Sequence, residues 1–210
     1  MGDYLQRGLL AEPYLHFFDI EFSTRFEETV APFVREQAQE YASAIFRLSF
    51  DVSVEMGPGG TKVWIRILTN VVKAFIIYGG LRQAADYLVH DGRRFCEHVA
   101  APVIYKVESI GHSAYRFERR LGIPGLVKRI IESLDSLPSI CQHASPAERR
   151  QHFGYVWRRT ERLFALLEPE AEEIVATGLE SIVLEIQPIL PPDQKELEEF
   201  LRRLRSRKRK

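Results

Sequence analysis

Residues 46–69 carry the clearest alternation of apolar and polar side chains in the chain. From Phe46 to Met56 every even-numbered residue is apolar and every odd-numbered residue is polar or charged. A period of two is typical of a β-strand with one buried and one solvated face. A glycine-rich turn over 57–60 follows, and a second strand-like run extends from Thr61 to Ile67. The pattern therefore predicts one long antiparallel hairpin over 46–69.

The turn of this hairpin, Gly57-Pro58-Gly59-Gly60, also resembles a phosphate-binding loop in composition. Such a loop is followed by a helix, whose free amide groups face the anion. Here a strand follows, and the chain lacks the Gly-Lys-Ser/Thr sequence of that loop. The sequence therefore predicts a hairpin turn, whose exposed tip can contact a partner.

The remaining pattern places this hairpin in a mixed fold. A second alternating segment, 14–22, predicts a third strand, and three strands with a shared apolar face are about the minimum for a stable sheet. Helical periodicity predicts helices over 24–43, 81–99 (with Pro102 ending or kinking it), about 113–121, 126–134, 146–168, 170–187 and from 193 onward. We expect an α+β fold, in which a small antiparallel sheet packs on a bundle of about five to six helices. Residues 1–192 form one domain in this prediction, and 193–210 form an amphipathic helix with a basic C-terminal tail.

Composition limits the cellular setting. The chain has 210 residues, of which 45% are hydrophobic and 28% charged, as in ordinary globular proteins. It has two cysteines, which argues against a disulfide framework and for a reducing compartment. The start Met1-Gly2-Asp3-Tyr4 lacks the features of a signal peptide, and the most apolar long stretch, 63–80, carries Arg66 and Lys73. We expect a cytoplasmic protein without a transmembrane segment.

The C-terminal tail is the main candidate binding segment. Basic and acidic residues number 29 each, but seven basic residues lie within 202–210, so the rest of the chain carries a charge of about −7. The seven are Arg202, Arg203, Arg205, Arg207, Lys208, Arg209 and Lys210. Such a cluster attracts the phosphates of nucleic acid or of an anionic membrane surface. Leu197, Leu201 and Leu204 could help the helix to lie on a membrane. The alternative is a solvated end, or one that folds back on the acidic body of the protein.

The helix predicted over 81–99 has a polar face that offers a second candidate. Arg82, Asp86 and His90 recur at four-residue spacing, close to Tyr78, and are predicted to line an interaction surface. Asp86 could orient the imidazole of His90 for general-base catalysis. No nucleophile motif, zinc-protease motif or dinucleotide fingerprint accompanies the pair. The favoured interpretation is a solvated face with ion pairs within the helix, or a polar seam between the hairpin and the helix.

Both cysteines lie two residues before a histidine, as Cys96-Glu97-His98 and Cys141-Gln142-His143. Four such ligands could in principle bind zinc. On a helix, however, residues i and i+2 point in nearly opposite directions, so Cys96 and His98 do not converge on one ion. We expect no metal and no cofactor, with Cys96 buried and His98 on the surface.

The segment from Tyr78 to Asp91 directly follows the hairpin and reads YGGLRQAADYLVHD. It resembles a segment of small uncharacterised bacterial proteins, in which a glycine-tipped hairpin leads into Tyr-Gly, Arg, Asp-Tyr and a second Asp. The resemblance covers residues 45–98 and carries no assigned activity, so it implies no catalytic residue. By association it implies a role in a bacterial conflict or stress operon.

These observations favour a non-enzymatic binding or adaptor protein. We expect a protein partner, and a polyanion bound through the basic tail. Two alternatives remain open, namely a small enzyme that uses Asp86 and His90, and a structural or regulatory subunit of a bacterial conflict or stress operon.

Overall fold

The computed structural model describes residues 6–109, 114–190 and 195–208. It confirms the α+β fold class, with one four-stranded antiparallel sheet and helices. In chain order the described elements are β1 (Leu9–Phe17), α1 (Thr24–Ile45), β2 (Asp51–Gly57), β3 (Thr61–Leu68), α2 (Val71–Ile77), α3 (Leu81–Glu108), β4 (Tyr115–Arg120), α4 (Gly122–Asp135), α5 (Leu137–His143), α6 (Pro146–Phe164), α7 (Pro169–Ile186), a 3-10 turn (Gln187–Ile189) and α8 (Lys195–Arg207).

The chain divides into two compact units. Unit 1 comprises residues 1–70 and 87–122, and unit 2 comprises residues 71–86 and 123–210. Helix α3 contributes residues 81–86 to unit 2 and the rest of its length to unit 1. The predicted domain boundary at residue 192 falls within 191–194, which lies outside the described residues, and it stays a prediction.

Unit 1 contains the whole sheet, whose strand order is β2-β3-β1-β4. With α1 between β1 and β2, and α3 before β4, the chain follows the βαββαβ connectivity of ferredoxin-like folds. The alternate residues Val63, Ile65 and Ile67 of β3 are fully buried, as are Leu15 and Phe17 of β1. One face of the sheet therefore contributes the core of unit 1.

Helices α1 and α3 run antiparallel to each other in unit 1. Phe46, directly after α1, packs against Phe95 with ring centres 5.9 Å apart, whereas Lys106 near the end of α3 lies over Phe33, 5.7 Å from the ring centre. A side chain at Gly92 of α3 would lie 3.5 Å from Cβ of Ala11 on β1. Glycine at this position allows α3 to approach the sheet closely.

The third strand lies earlier in the chain than predicted. The prediction of 14–22 is wrong in its bounds, because β1 spans Leu9–Phe17 and the chain bends directly after Phe17. β1 is a central strand with both faces covered, so its first half shows no alternation. Ser23 then caps α1 by accepting a hydrogen bond from the amide of Phe26 at 3.2 Å.

The hairpin is confirmed, although its first strand begins at Asp51 rather than at residue 46. α1 continues to Ile45, and Phe46 is buried in the link between α1 and β2. The turn is a hairpin turn as predicted, with Gly59 and Gly60 at φ of 85° and 71°.

Two helix predictions need correction. The segment predicted as a helix around 113–121 contains strand β4, which pairs with β1 from Tyr115 to Arg120. Its Glu and Arg residues favour helices by intrinsic propensity, but pairing with β1 outweighs that preference. Helix α3 also continues through Pro102 to Glu108, because Val103 and Val107 are buried in the last turns.

Unit 2 is helical in all of its described elements. A capping box opens α6, since Ser145 accepts from the amide of Glu148 and Glu148 accepts from the amide of Ser145. α8 packs against both α6 and α7. Of the helices described, none is long and apolar enough to cross a membrane.

Candidate functional site

The described basic residues of the 202–210 segment lie on helix α8 or directly after it, and they bind carboxylates of unit 2. Lys208 and Arg205 both donate to Glu180 of α7, the latter at 2.6 Å. Arg207 lies 3.5 Å from Glu172, also on α7. The two hydrogen bonds, first that from Lys208 and then that from Arg205, hold the pKa of Glu180 below its ordinary value.

Two further arginines of α8 share a carboxylate on their own helix. Arg202 and Arg203 both donate to Glu199, Arg203 at 2.6 Å. These hydrogen bonds lower the pKa of Glu199. Arg209 and Lys210 lie outside the described residues.

A second set of contacts fixes α8 to α6. The guanidinium of Arg203 lies 5.1 Å from the ring centre of Trp157, and that of Arg207 lies 5.3 Å from the ring centre of Phe164. Phe200 packs edge-on against Trp157 with ring centres 5.5 Å apart. The positions on α8 that are buried are Leu197, Phe200, Leu201 and Leu204. The arginines of α8 therefore help to hold this helix on α6 and α7.

Helix α6 carries arginines that lie around an exposed tyrosine. Tyr155 is 41% exposed, and the guanidinium of Arg159 stacks on its ring at 4.1 Å. Arg158 and Arg162 are exposed on the same side of α6, at three- and seven-residue spacing from Tyr155. Within the described ranges, with their gaps at 110–113 and 191–194, neither Arg158 nor Arg159 forms an ion pair. We call Tyr155, Arg158, Arg159 and Arg162 the α6 arginine face.

Two of the polar residues predicted on the 81–99 helix, Arg82 and Asp86, bind side chains of α4 in unit 2. Arg82 donates two hydrogen bonds to Asp135, at 2.7 and 2.8 Å, and this hydrogen bonding raises the pKa of Arg82. Asp86 accepts from Lys128 of α4 at 2.5 Å. The carboxylate predicted to orient His90 is thus used to tie the start of α3 to α4. His90 is exposed on α3, and Tyr78 follows α2 directly.

The sheet presents a polar face that sequence reasoning missed. Strand registers align its side chains in three rows across β2, β3, β1 and β4. The tip row, nearest the hairpin turn, is Gly57–Lys62–His16–Arg116; the aromatic row is Glu55–Trp64–Tyr14–Glu118; the ion-pair row is Ser53–Arg66–Glu12–Arg120.

In the ion-pair row a fully buried carboxylate lies between two arginines. Glu12, with 0% exposure, accepts from Arg66 Nε at 2.6 Å and from Arg120 Nη1 at 2.7 Å. Burial lowers the pKa of both arginines, but hydrogen bonds to Glu12 and to a second carboxylate raise it by more, so both remain charged. The second carboxylates are Glu55 for Arg66 and Glu118 for Arg120. The signal in the sequence was a single glutamate inside the apolar run 9–17.

The aromatic row contacts the ion-pair row through Arg120. Arg120 stacks on Tyr14 at 4.2 Å, and Tyr14 lies against Trp64 with ring centres 5.4 Å apart. Gly57 leaves room for the indole of Trp64, because a Cβ there would lie 3.2 Å from the ring. The row therefore has one buried ring, Tyr14, beside one half-exposed ring, Trp64.

The cysteine-histidine pairs do not come together. Cys96 is fully buried, and burial raises its pKa to about 12, whereas His98 is exposed and bonds the carbonyl of Arg94. Cys141 is buried, and burial raises its pKa. In the described residues no three His, Cys, Asp or Glu side chains are placed to hold a metal ion.

Comparison of the chain with protein-family models, with curated proteins and with solved structures gives no match.

Proposed function

We propose that the protein is a binding protein that takes up single-stranded nucleic acid on the α6 arginine face. The proposal is based on the lack of an ion pair at Arg158 and at Arg159 within the described residues. Both are arginines, which carry a positive charge in proteins, and neither has a carboxylate partner among the residues described, whereas each described cation of the 202–208 segment has one. The centre of the proposed polyanion site thus moves from the C-terminal tail to α6.

The chemistry of this face favours nucleic acid. A guanidinium presents a planar set of donors that matches two phosphate oxygens at once. Tyr155 lies between the arginines and is exposed, so a base can stack on its ring or on the guanidinium of Arg159.

The packing of α8 argues against the membrane alternative. A helix that lies on a bilayer inserts its apolar side chains between the lipids. The leucines proposed for that role, Leu197, Leu201 and Leu204, are instead buried in unit 2 at 5% exposure or less. Attachment of α8 to a membrane would require it to leave α6 and α7.

The test compares two double variants that each remove two positive charges. The site variant is Arg158→Gln with Arg159→Gln, and the control is Arg93→Gln with Arg94→Gln, an exposed pair on α3 in unit 1. Binding of a fluorescent single-stranded oligonucleotide is measured by anisotropy over a range of salt concentrations. Because each lost contact with a single-strand phosphate lowers the salt slope by about 0.7, the site variant should lower it by about 1.4. The control should leave the slope unchanged.

Three results would contradict the proposal. The first is an equal loss of affinity in both double variants, which would indicate dependence on net charge alone. The second is wild-type affinity in the site variant. The third is binding to phosphatidylserine vesicles that exceeds oligonucleotide binding at the same salt concentration, which would favour a membrane surface.

A further inference from the structure

The tip row of the sheet differs from the other two rows in its charge. In the ion-pair row each arginine faces a carboxylate across the strands, and the aromatic row holds Glu55 and Glu118. In the tip row Lys62 lies opposite His16, and His16 lies opposite Arg116. No carboxylate shares this row. The cations Lys62 and Arg116 therefore lie on either side of His16, on the two strands that flank β1.

The hairpin turn concentrates these groups. His16 donates from Nε2 to the carbonyl of Gly59 at 2.8 Å. Lys62 Nζ lies 3.0 Å from the position that a Cβ would take at Gly59. Gly60 lies close to the end of β1, since a Cβ there would lie 2.5 Å from the carbonyl oxygen of Phe17. The turn thus holds the basic groups of β1 and β3 at one end of the sheet.

The donors of this row remain available to a ligand. Lys62 forms no ion pair within the described part of the chain. Arg116 is 62% exposed and shares Glu118 with Arg120, so one carboxylate serves two guanidinium groups. His16 already donates from Nε2 to Gly59, so the donors that remain for a ligand are those of Lys62 and Arg116.

The neighbouring row adds a surface for an aromatic ring. Trp64 follows Lys62 by two residues on the same face of β3, which corresponds to about 6.6–6.8 Å along the strand. This separation is comparable to the length of a ribose. A phosphate at the tip row would therefore place an attached base at the indole of Trp64.

We propose that this end of the sheet binds a nucleoside monophosphate, with the phosphate held by Lys62 and Arg116 and the base stacked on Trp64. The site belongs to unit 1 and does not depend on the α6 arginine face. The same chemistry occurs in a free nucleotide and in the 5′-phosphorylated end of a strand.

The experiment uses Trp64 as its own reporter. The chain has two tryptophans, so the full-length Trp157→Phe variant leaves Trp64 as the sole source of indole fluorescence. This protein is titrated with AMP, with inorganic phosphate and with adenosine. We expect AMP to quench Trp64 and to bind more tightly than either fragment, and inorganic phosphate to compete with AMP.

Substitutions then locate the phosphate. Lys62→Gln and Arg116→Gln, each in the Trp157→Phe background, should each weaken AMP binding about tenfold, the loss expected for one charge-assisted hydrogen bond. Arg119→Gln is the matched control, because Arg119 lies on the same strand but on its other face, paired with Glu97. It should leave AMP affinity unchanged.

The proposal is overturned if millimolar AMP leaves Trp64 fluorescence unchanged, if adenosine binds as tightly as AMP, or if Lys62→Gln and Arg116→Gln both bind AMP like the unsubstituted background. Displacement of AMP by a 5′-phosphorylated oligonucleotide would support the site with a strand end as the source, and retention of AMP would support the free nucleotide. Arg158→Gln with Arg159→Gln should leave AMP binding intact, so this site and the proposed function can fail separately.

Discussion

Glu12 on β1 lies directly opposite Arg120 on β4, and its carboxylate accepts a hydrogen bond from Arg120 Nη1 at 2.7 Å. The other oxygen accepts from Arg66 on β3. Glu12 thus joins three neighbouring strands through side chains, and it is the only fully buried acid among the residues described. A charge placed between two central strands and an edge strand fixes which residues face each other, because a one-residue slip would bury the carboxylate without a partner.

We expect Glu12→Gln to destabilise the protein by about 2–4 kcal/mol, since it leaves two poorly exposed arginines without their shared counter-charge. The free energy of unfolding is measured by urea denaturation. The control is Glu55→Gln, which removes a 57% exposed partner of Arg66 and should cost less than about 1 kcal/mol. Equal losses in the two variants would show that burial of Glu12 does not matter.

The sequence was most informative where structure depends on near neighbours. The hairpin turn and the cap at Ser145 follow from residues within a few positions of each other. β1 was placed wrongly because nearly all of its residues are buried, so its sequence lacks the alternation that marks a half-buried strand. β4 was missed because its pairing with β1 joins residues about one hundred positions apart.

For the candidate sites too, features that depend on near neighbours in the sequence were predictable, and contacts between distant residues were not. The positive charge of the 202–210 segment was evident, but its partners Glu172 and Glu180 lie on another helix and carry no mark in the sequence. The Asp86–Lys128 pair likewise depends on the packing of α3 on α4. Spacing predicts which residues share a helix face, but tertiary packing decides what covers that face.

Glycines at two helix positions of unit 2 should respond oppositely to alanine. At Gly178 of α7 a Cβ would lie 2.7 Å from Cβ of Leu81, so the helices must separate. We expect Gly178→Ala to destabilise by about 1–2 kcal/mol, because overpacking outweighs the gain in helix propensity.

The matched substitution is Gly154→Ala in α6, where the nearest atom is 3.6 Å away at the mobile end of Arg158. It should stabilise by about 0.5–1 kcal/mol through the higher helix propensity of alanine. Thermal and urea unfolding, followed by circular dichroism, give the sign of each change. The same sign for both variants would contradict the close approach at Gly178.

The contact of α8 with Glu180 should depend on pH. Hydrogen bonds from Lys208 and Arg205 lower the pKa of Glu180 in the folded protein. A lowered pKa stabilises the folded state above the unfolded pKa, about 4.3, and this contribution is lost as pH falls through the folded value. At neutral pH Glu180→Gln should therefore cost about 1 kcal/mol, because water screens part of the pair.

The measurement is the free energy of unfolding of wild type and Glu180→Gln between pH 7 and about pH 3. The difference between the two proteins should be constant near neutrality and should shrink below about pH 4. Glu199→Gln serves as the comparison, since Glu199 pairs only with arginines of its own helix. A difference between wild type and Glu180→Gln that grows as pH falls would rule out this ion pair.

Both thiols should be unreactive in the folded protein. Cys96 has no exposed surface, and burial raises its pKa to about 12, so almost no thiolate is present at pH 8. Cys141 is 4% exposed, and burial raises its pKa as well. Reaction with a disulfide reagent should therefore count two thiols in denaturant and close to none in native buffer over minutes. The Cys141→Ser variant isolates Cys96, which should be the slower of the two because its labelling requires unfolding of the core around Phe95. Rapid native labelling of Cys96, or protection that appears only when zinc is added, would show that the thiol reaches solvent or a metal.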